Sequence, residues 1–125
     1  MPNKWQAQQN FWSSFGLAAY DQNTVPNTAK MPYITYEAFS GGLGTVQTTT
    51  ASIWYRSKSW AEISLKADEI AQKINAMPPA TSIDGGMYKV RIPLDMPFAQ
   101  RMEEPDDADV RRVVLHVEVE FLTAY

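Results

Sequence analysis

The chain of 125 residues contains no cysteine. That excludes disulfides, thiolate nucleophiles and zinc–thiolate sites. It holds one histidine, His116. Cations are the minority: 11 Lys and Arg stand against 14 Asp and Glu, for a formal net charge of -3 and a pI near 5.0. A sequence-independent nucleic-acid binder needs a basic face to displace counterions, so this balance argues against one. The opening MPNKWQAQQNFW has no apolar run long enough for a signal peptide, and no later segment is long and apolar enough to span a membrane. The expectation is a soluble protein made in the cytosol. No internal repeat or low-complexity tract is present.

What is present suffices for a core. Hydrophobic residues make up 45% and aromatic residues 12% of the chain, which fits one domain of ordinary size. Residues 3–15 read as a helix, with Trp5, Phe11, Trp12 and Phe15 on its apolar face and the glutamines opposite. Residues 19–33, AYDQNTVPNTAKMPY, hold turn formers and two prolines and read as an irregular crossing. YITYEAFS (33–40) alternates and reads as a strand. After GGLG comes TVQTTTASIWYRS (45–57), long for a strand, and so either two strands or one with a bent arm. The two form an antiparallel hairpin with a glycine tip.

SWAE (59–62) fits a capping box, Ser59 and Glu62 each satisfying the other's backbone amide. Trp60, Ile63, Ala67, Ile70 and Ile74 then make one apolar stripe, and Pro78 and Pro79 end the helix. DGG (84–86) is a turn. MYKVRIPL (87–94) reads as a half-buried strand. The last strand, 113–122, places Val113, Leu115, Val117, Val119 and Phe121 on one face and Val114, His116, Glu118, Glu120 and Leu122 on the other. The fold class expected is α+β: an antiparallel sheet with two helices packed on one face.

Catalytic signals are few. His116 lies on the polar face of its strand beside Glu118, and no G-x-S-x-G or similar motif supplies a nucleophile for it. SGGLGTVQT lacks the Lys-Ser/Thr that closes a phosphate loop and does not match G-x-G-x-x-G. The densest charge lies in MEEPDDADVRR (102–112), where Glu103, Glu104, Asp106, Asp107 and Asp109 fall within seven positions beside Arg111 and Arg112. Such a run reads as a solvated loop, and secondarily as a site for a hard cation. It does not have EF-hand spacing, and a loop is a poor mount for a fixed catalytic carboxylate pair. No enzymatic activity, cofactor or resident metal is expected.

One resemblance spans almost the whole chain. FWSSFGLAAYDQNTVPNTAKMPYITYEAFSGG resembles the opening of tail terminator (tail completion) proteins of long-tailed phages that infect Gram-positive bacteria. The shared features are G-x-x-A-Y-D-x-x-x-V-P at 16–26, P-Y-I-T-Y at 32–36, a Thr- and Ser-rich hairpin, a helix opened by W-A-E, and an alternating final strand ending in an aromatic. The resemblance implies a structural virion protein at the head-proximal end of the tail. Its copies would form a homo-oligomer, a hexameric ring that stops growth of the tail tube protein and then meets a neck or head-completion protein. DNA would pass through the lumen without specific binding. Candidate interface residues are Thr48, Thr49 and Thr50 on the hairpin, whose exposed edge can pair with a neighbour. The others are Glu103, Glu104, Asp106, Asp107, Asp109, Arg111 and Arg112, in a loop expected at a ring surface, where clustered carboxylates repel phosphate. A head–tail connector or stopper is the alternative within virion assembly. A small α+β ligand-binding dimer is the alternative outside it.

Overall fold

A computed structural model describes all residues, Met1–Tyr125. In chain order the elements are α1 (Lys4–Ser13), β1 (Ala18–Asp21), β2 (Tyr33–Tyr36), β3 (Thr45–Arg56), α2 (Ala61–Ala76), β4 (Thr81–Ile83), β5 (Gly86–Arg91), β6 (Ala99–Met102) and β7 (Val110–Thr123). The seven strands form one sheet in the order β1-β2-β3-β7-β5-β4, and β6 also pairs β7. All pairings are antiparallel except β1 with β2. The α+β reading holds, with the sheet mixed at one edge.

The spine is the β3–β7 ladder, paired over twelve positions from Thr45↔Phe121 to Arg56↔Val110. Its length follows from the strict alternation of β7. Val113, Leu115, Val117, Val119 and Phe121 are all buried toward the helices, while the residues between them are half-buried on the opposite face. Alternation of period two lets one face close a core while the other meets solvent. The second option for 45–57 is therefore nearest the outcome: one continuous strand.

The α2 stripe also holds. Ile63, Ala67, Ile70 and Ile74 are buried, and each fully buried isoleucine contributes about 1.5–3 kcal/mol. The expected capping box at Ser59 does not form. The N-cap is Trp60, with no side-chain cap, and the Ser59 hydroxyl instead accepts from the Ala61 amide at 3.0 Å. The capping box is on α1: the Gln6 amide donates to the Asn3 side chain at 2.8 Å and the Asn3 amide to Gln6 Oε1 at 3.0 Å.

The face of α1 departs from expectation too. Phe11, Trp12 and Phe15 are buried, but Trp5 is 52% exposed while Lys4 and Gln8 are buried. Tertiary partners make this possible. Gln8 Nε2 donates to the Phe39 carbonyl at 2.9 Å, and its Oε1 accepts from the Phe39 amide at 3.0 Å, so one side chain satisfies both groups of a loop residue. Lys4 Nζ donates to the Gly41 carbonyl at 3.0 Å and to the main-chain oxygen of Tyr125, and it lies over the Phe121 and Tyr125 rings. Buried polar groups are tolerated when so satisfied.

Three short strands were not legible. β1 overlaps the start of the expected crossing and β4 precedes the DGG turn, while β6 lies just before the acidic loop. β2 and β5 are shorter than expected, ending at Tyr36 and Arg91.

Candidate assembly interface

The helices cover one face of the sheet, and the other carries no layer. Register identifies the residues of this open face. In β7 they are Arg112, Val114, His116, Glu118, Glu120 and Leu122. Val46, Thr48, Thr50, Ser52 and Trp54 lie opposite them in β3, and Met87, Lys89 and Arg91 in β5.

The candidate residues fall at opposite ends of the ladder. Thr48 pairs with Glu118, whereas Arg56 pairs with Val110 beside the acidic loop. Eight residues of strand separate them, roughly 27 Å. The structure therefore does not bring the threonines and the acids into one site.

At the glycine-tip end, β3 is paired on one side only. β7 runs along its full length, but β2 covers only Ala51 to Trp54 on the other side. One further bond on that side, from the Glu37 amide to the Thr50 carbonyl at 3.3 Å, shows that Thr50 points its backbone toward β2. By alternation Thr48 and Val46 point theirs the same way, where no strand lies. Residues 45–50 of this edge carry neither charge nor proline, the usual protections of an edge strand, and the one charged group bonded to them is the Glu37 carboxylate on Thr50 at its inner end. Exposed Val46 and Leu43 stand beside it, and Met87 lies on the same open face next to Leu122.

The three threonines differ in availability. Thr48 is exposed. Thr50 is half-buried and donates its hydroxyl to the Glu37 carboxylate. Thr49 is 6% exposed and faces the helices. The expectation that Thr49 presents its side chain on the surface is thus corrected, since one step along a strand reverses the face.

At the other end the acidic loop is pinned by its neighbours. Arg56 Nη1 meets Asp107 Oδ2 at 3.2 Å, Lys58 Nζ meets Asp109 Oδ1 at 3.8 Å, and Arg112 Nη1 meets Glu104 Oε1 at 3.5 Å. The Asp109 amide donates to Asp107 Oδ1 at 2.9 Å, and the Ser57 amide to the Asp109 carbonyl at 2.7 Å. The Asp109 amide bond, then the Arg56 guanidinium, hold the Asp107 carboxyl below its ordinary range. Five carboxylates thus sit among four cations, counting Arg111, and the loop is far less negative than its sequence implies. Glu103 and Asp106 are exposed and make no ion pair. No three carboxylate or imidazole groups converge as a chelated metal requires.

Arg111 and Arg112 were expected as exposed contacts, and both are half-buried and engaged within the chain. Arg111 donates to the carbonyls of Ala108 at 3.0 Å and Lys58 at 2.8 Å and stacks on Trp60 at 5.3 Å. Arg112 donates to the Ser52 hydroxyl at 3.1 Å and lies over Trp54 at 4.8 Å. That contact ends an aromatic row across the open face. Tyr20 and Tyr33 are 5.7 Å apart and Tyr33 and Trp54 are 6.5 Å apart. Register places Trp54 on the open face, opposite Arg112.

His116 has no carboxylate partner. Its Nδ1 is buried without a hydrogen bond, and its cross-strand neighbour is Thr50, whose hydroxyl is committed to Glu37. No base–nucleophile pair is assembled there. No helix is long and apolar enough to cross a membrane.

Comparison with protein-family models, with curated proteins and with solved structures finds no match.

Proposed function

We propose that the protein is a ring-forming virion component that caps the tail tube, ends its polymerisation and joins the tail to the neck. The observation that carries this reading is the half-unpaired β3. A strand of twelve residues leaves an unpaired stretch, Thr45 to Thr48 with exposed Val46, that has no charged side chain of its own and lies beside exposed Leu43, a surface suited to another protein rather than to water. The resemblance to tail terminators supplies the partners: like copies around the ring, the tube protein on one face and a neck or head-completion protein on the other. The roughly 27 Å between the open edge and the acidic loop suits a subunit that must meet two different neighbours. In this reading the ring lies at the head-proximal end of the tail, and DNA passes through without specific contact. A head–tail connector would carry similar surfaces but would bind the portal-side adaptor.

The test is to mix purified protein with tail tube protein during tube assembly and to image the products. Capped tubes of limited length, with the protein at one end, are expected. Tubes that grow unchanged and carry none of it, together with binding to the portal-side adaptor, would turn the assignment to the connector.

A further inference from the structure

The outer edge of β3 is long and unpaired, whereas the other free edges belong to strands of three or four residues. β2 stops at Tyr36, level with Ala51, and Glu37 still occupies its lane beside Thr50. Beyond that the lane is empty, and residues 45–48 are all exposed. The connection from β2 back to β3 does not fill it. That connection crosses on the helix side, where Phe39 packs on Phe121 and Gly41 lies against the Thr45 side chain. Two bonds fix which backbone groups face outward. The Glu37 amide donates to the Thr50 carbonyl from the β2 side, and the amide of His116, opposite Thr50, donates away from β3 to Phe98. Val46 and Thr48 share the orientation of Thr50, so their N–H and C=O groups point into the empty lane.

The gap matches the arm that borders it. It runs from Thr48 to the Gly44 tip and is centred on Val46. An arm of the same length, laid antiparallel about a twofold axis at Val46, fills it without meeting Glu37. Val46 then lies opposite its own copy and exchanges both backbone bonds with it, Thr48 faces the Gly44 tip, and Leu43 reaches the end of β2 beside Ala38. Two exposed apolar side chains, Val46 and Leu43, are covered in the process. A twofold contact sets like residues near like, so charge on the arm would repel itself. Residues 44–48 carry none. Glu118 and Glu120, beside Thr48 and Val46 on β7, are held by Arg91 and Lys89. The two copies of Glu37 end about 26 Å apart along the strands.

We propose that the β3 arm pairs antiparallel with the same arm of a second copy, about a twofold axis at Val46. An unprotected edge adheres to any compatible strand, and the one strand always present at equal concentration is this edge itself. The pair masks the edge until a tube end or a ring neighbour competes for it. It rests on the β3 edge being a docking surface, as the proposed function requires, but not on the tail.

The chain has no cysteine, so a single introduced thiol reports the register. V46C, on the axis, brings its two Cα atoms to about 5.5 Å, within disulfide reach. T48C, exposed on the same face, lies about 13 Å along the strands from its copy. With oxidised glutathione, full-length V46C should cross-link to a dimer roughly tenfold or more faster than T48C. V46K sets two ammonium groups face to face and should need roughly tenfold or more protein than the wild type to pair, read by sedimentation across a concentration series. Equal cross-linking of the two thiols, or a wild type that is monomeric at every concentration, overturns the pairing and leaves the tail reading to its own test. Tube protein should suppress the V46C cross-link. A cross-link that persists while tubes stay uncapped upholds the pairing and overturns the tail reading.

Discussion

Lys4 and Gln8 carry the fold at the point where α1 meets the end of the chain. Each is a polar side chain buried with its bonds made. Replacing Gln8 with Leu strands both polar groups of Phe39 and should cost about 2–6 kcal/mol, given about 1–3 per buried orphan; the urea midpoint measures it. Neither residue was legible as core. A glutamine or lysine is buried only when the fold delivers carbonyls to it, and Gly41, Phe39 and Tyr125 are distant in sequence. Titration acts at this scale as well. Burial, then the neighbouring Tyr36, pushes the Tyr88 hydroxyl far above its ordinary value; burial, then Asp21, raises Tyr36. The folded state holds these protons more tightly than the unfolded chain. Their contribution is therefore complete below the ordinary phenol value of about 10 and is lost as pH rises above it. Asp107 has the opposite sign. Its depressed carboxyl stabilises the loop above the ordinary carboxylate value of about 3.9 and stops doing so as pH falls below it. Urea midpoints should thus fall above pH 10, and the protection of the Ser57 and Asp109 amides, relative to exchange in an unstructured chain at the same pH, should drop in acid.

Among the elements, the two that were read most faithfully are those with the longest unbroken pattern. The α2 stripe repeats every three to four residues, and β7 alternates from Val113 to Phe121, so each names its own buried face. The short strands lack that advantage. β1, β4 and β6 have three or four residues each, too few for a period to show. They are strands because long neighbours supply partners: β7 pairs β6 through Ala99↔Leu115 and Arg101↔Val113. The Ser59 cap failed for a related reason, since Trp60 takes the N-cap position while Arg101 and Arg111 lie over its ring. The β4–β5 turn is tightly specified. Gly86 has φ of 155°, and a Cβ there would collide with the Leu122 carbonyl of β7. G86A should destabilise the protein by at least about 1–3 kcal/mol and disturb the β5–β7 pairing, visible as lost amide protection at 88–90. An unchanged melting temperature would contradict that register.

At the scale of the whole molecule, the open sheet face, the free edge of β3 and the acidic loop are what the helices leave uncovered. The sequence showed the loop and the threonine tract but not their separation, nor that Arg56, Lys58 and Arg112 neutralise most of the carboxylates. Pairing across the sheet is long-range, and no local pattern encodes it. Converting Glu103, Glu104, Asp106, Asp107 and Asp109 to their amides should therefore act less through DNA repulsion than by freeing the loop from Arg56, Lys58 and Arg112. Tails that still reach correct length and join heads would refute a role for the loop in assembly. At the tip, V46K/T48K places charge on the open edge. It should leave the melting temperature within about 1 kcal/mol of stability while reducing recruitment to tube ends, scored by counting labelled ends. The most direct test of the central claim is native mass spectrometry of the purified protein, alone and with tube protein, backed by negative-stain images. A closed ring with a central hole is expected, six-fold if the tail-terminator resemblance holds, at tube ends if not free in solution. A compact dimer under every condition, with no affinity for tubes, would contradict it.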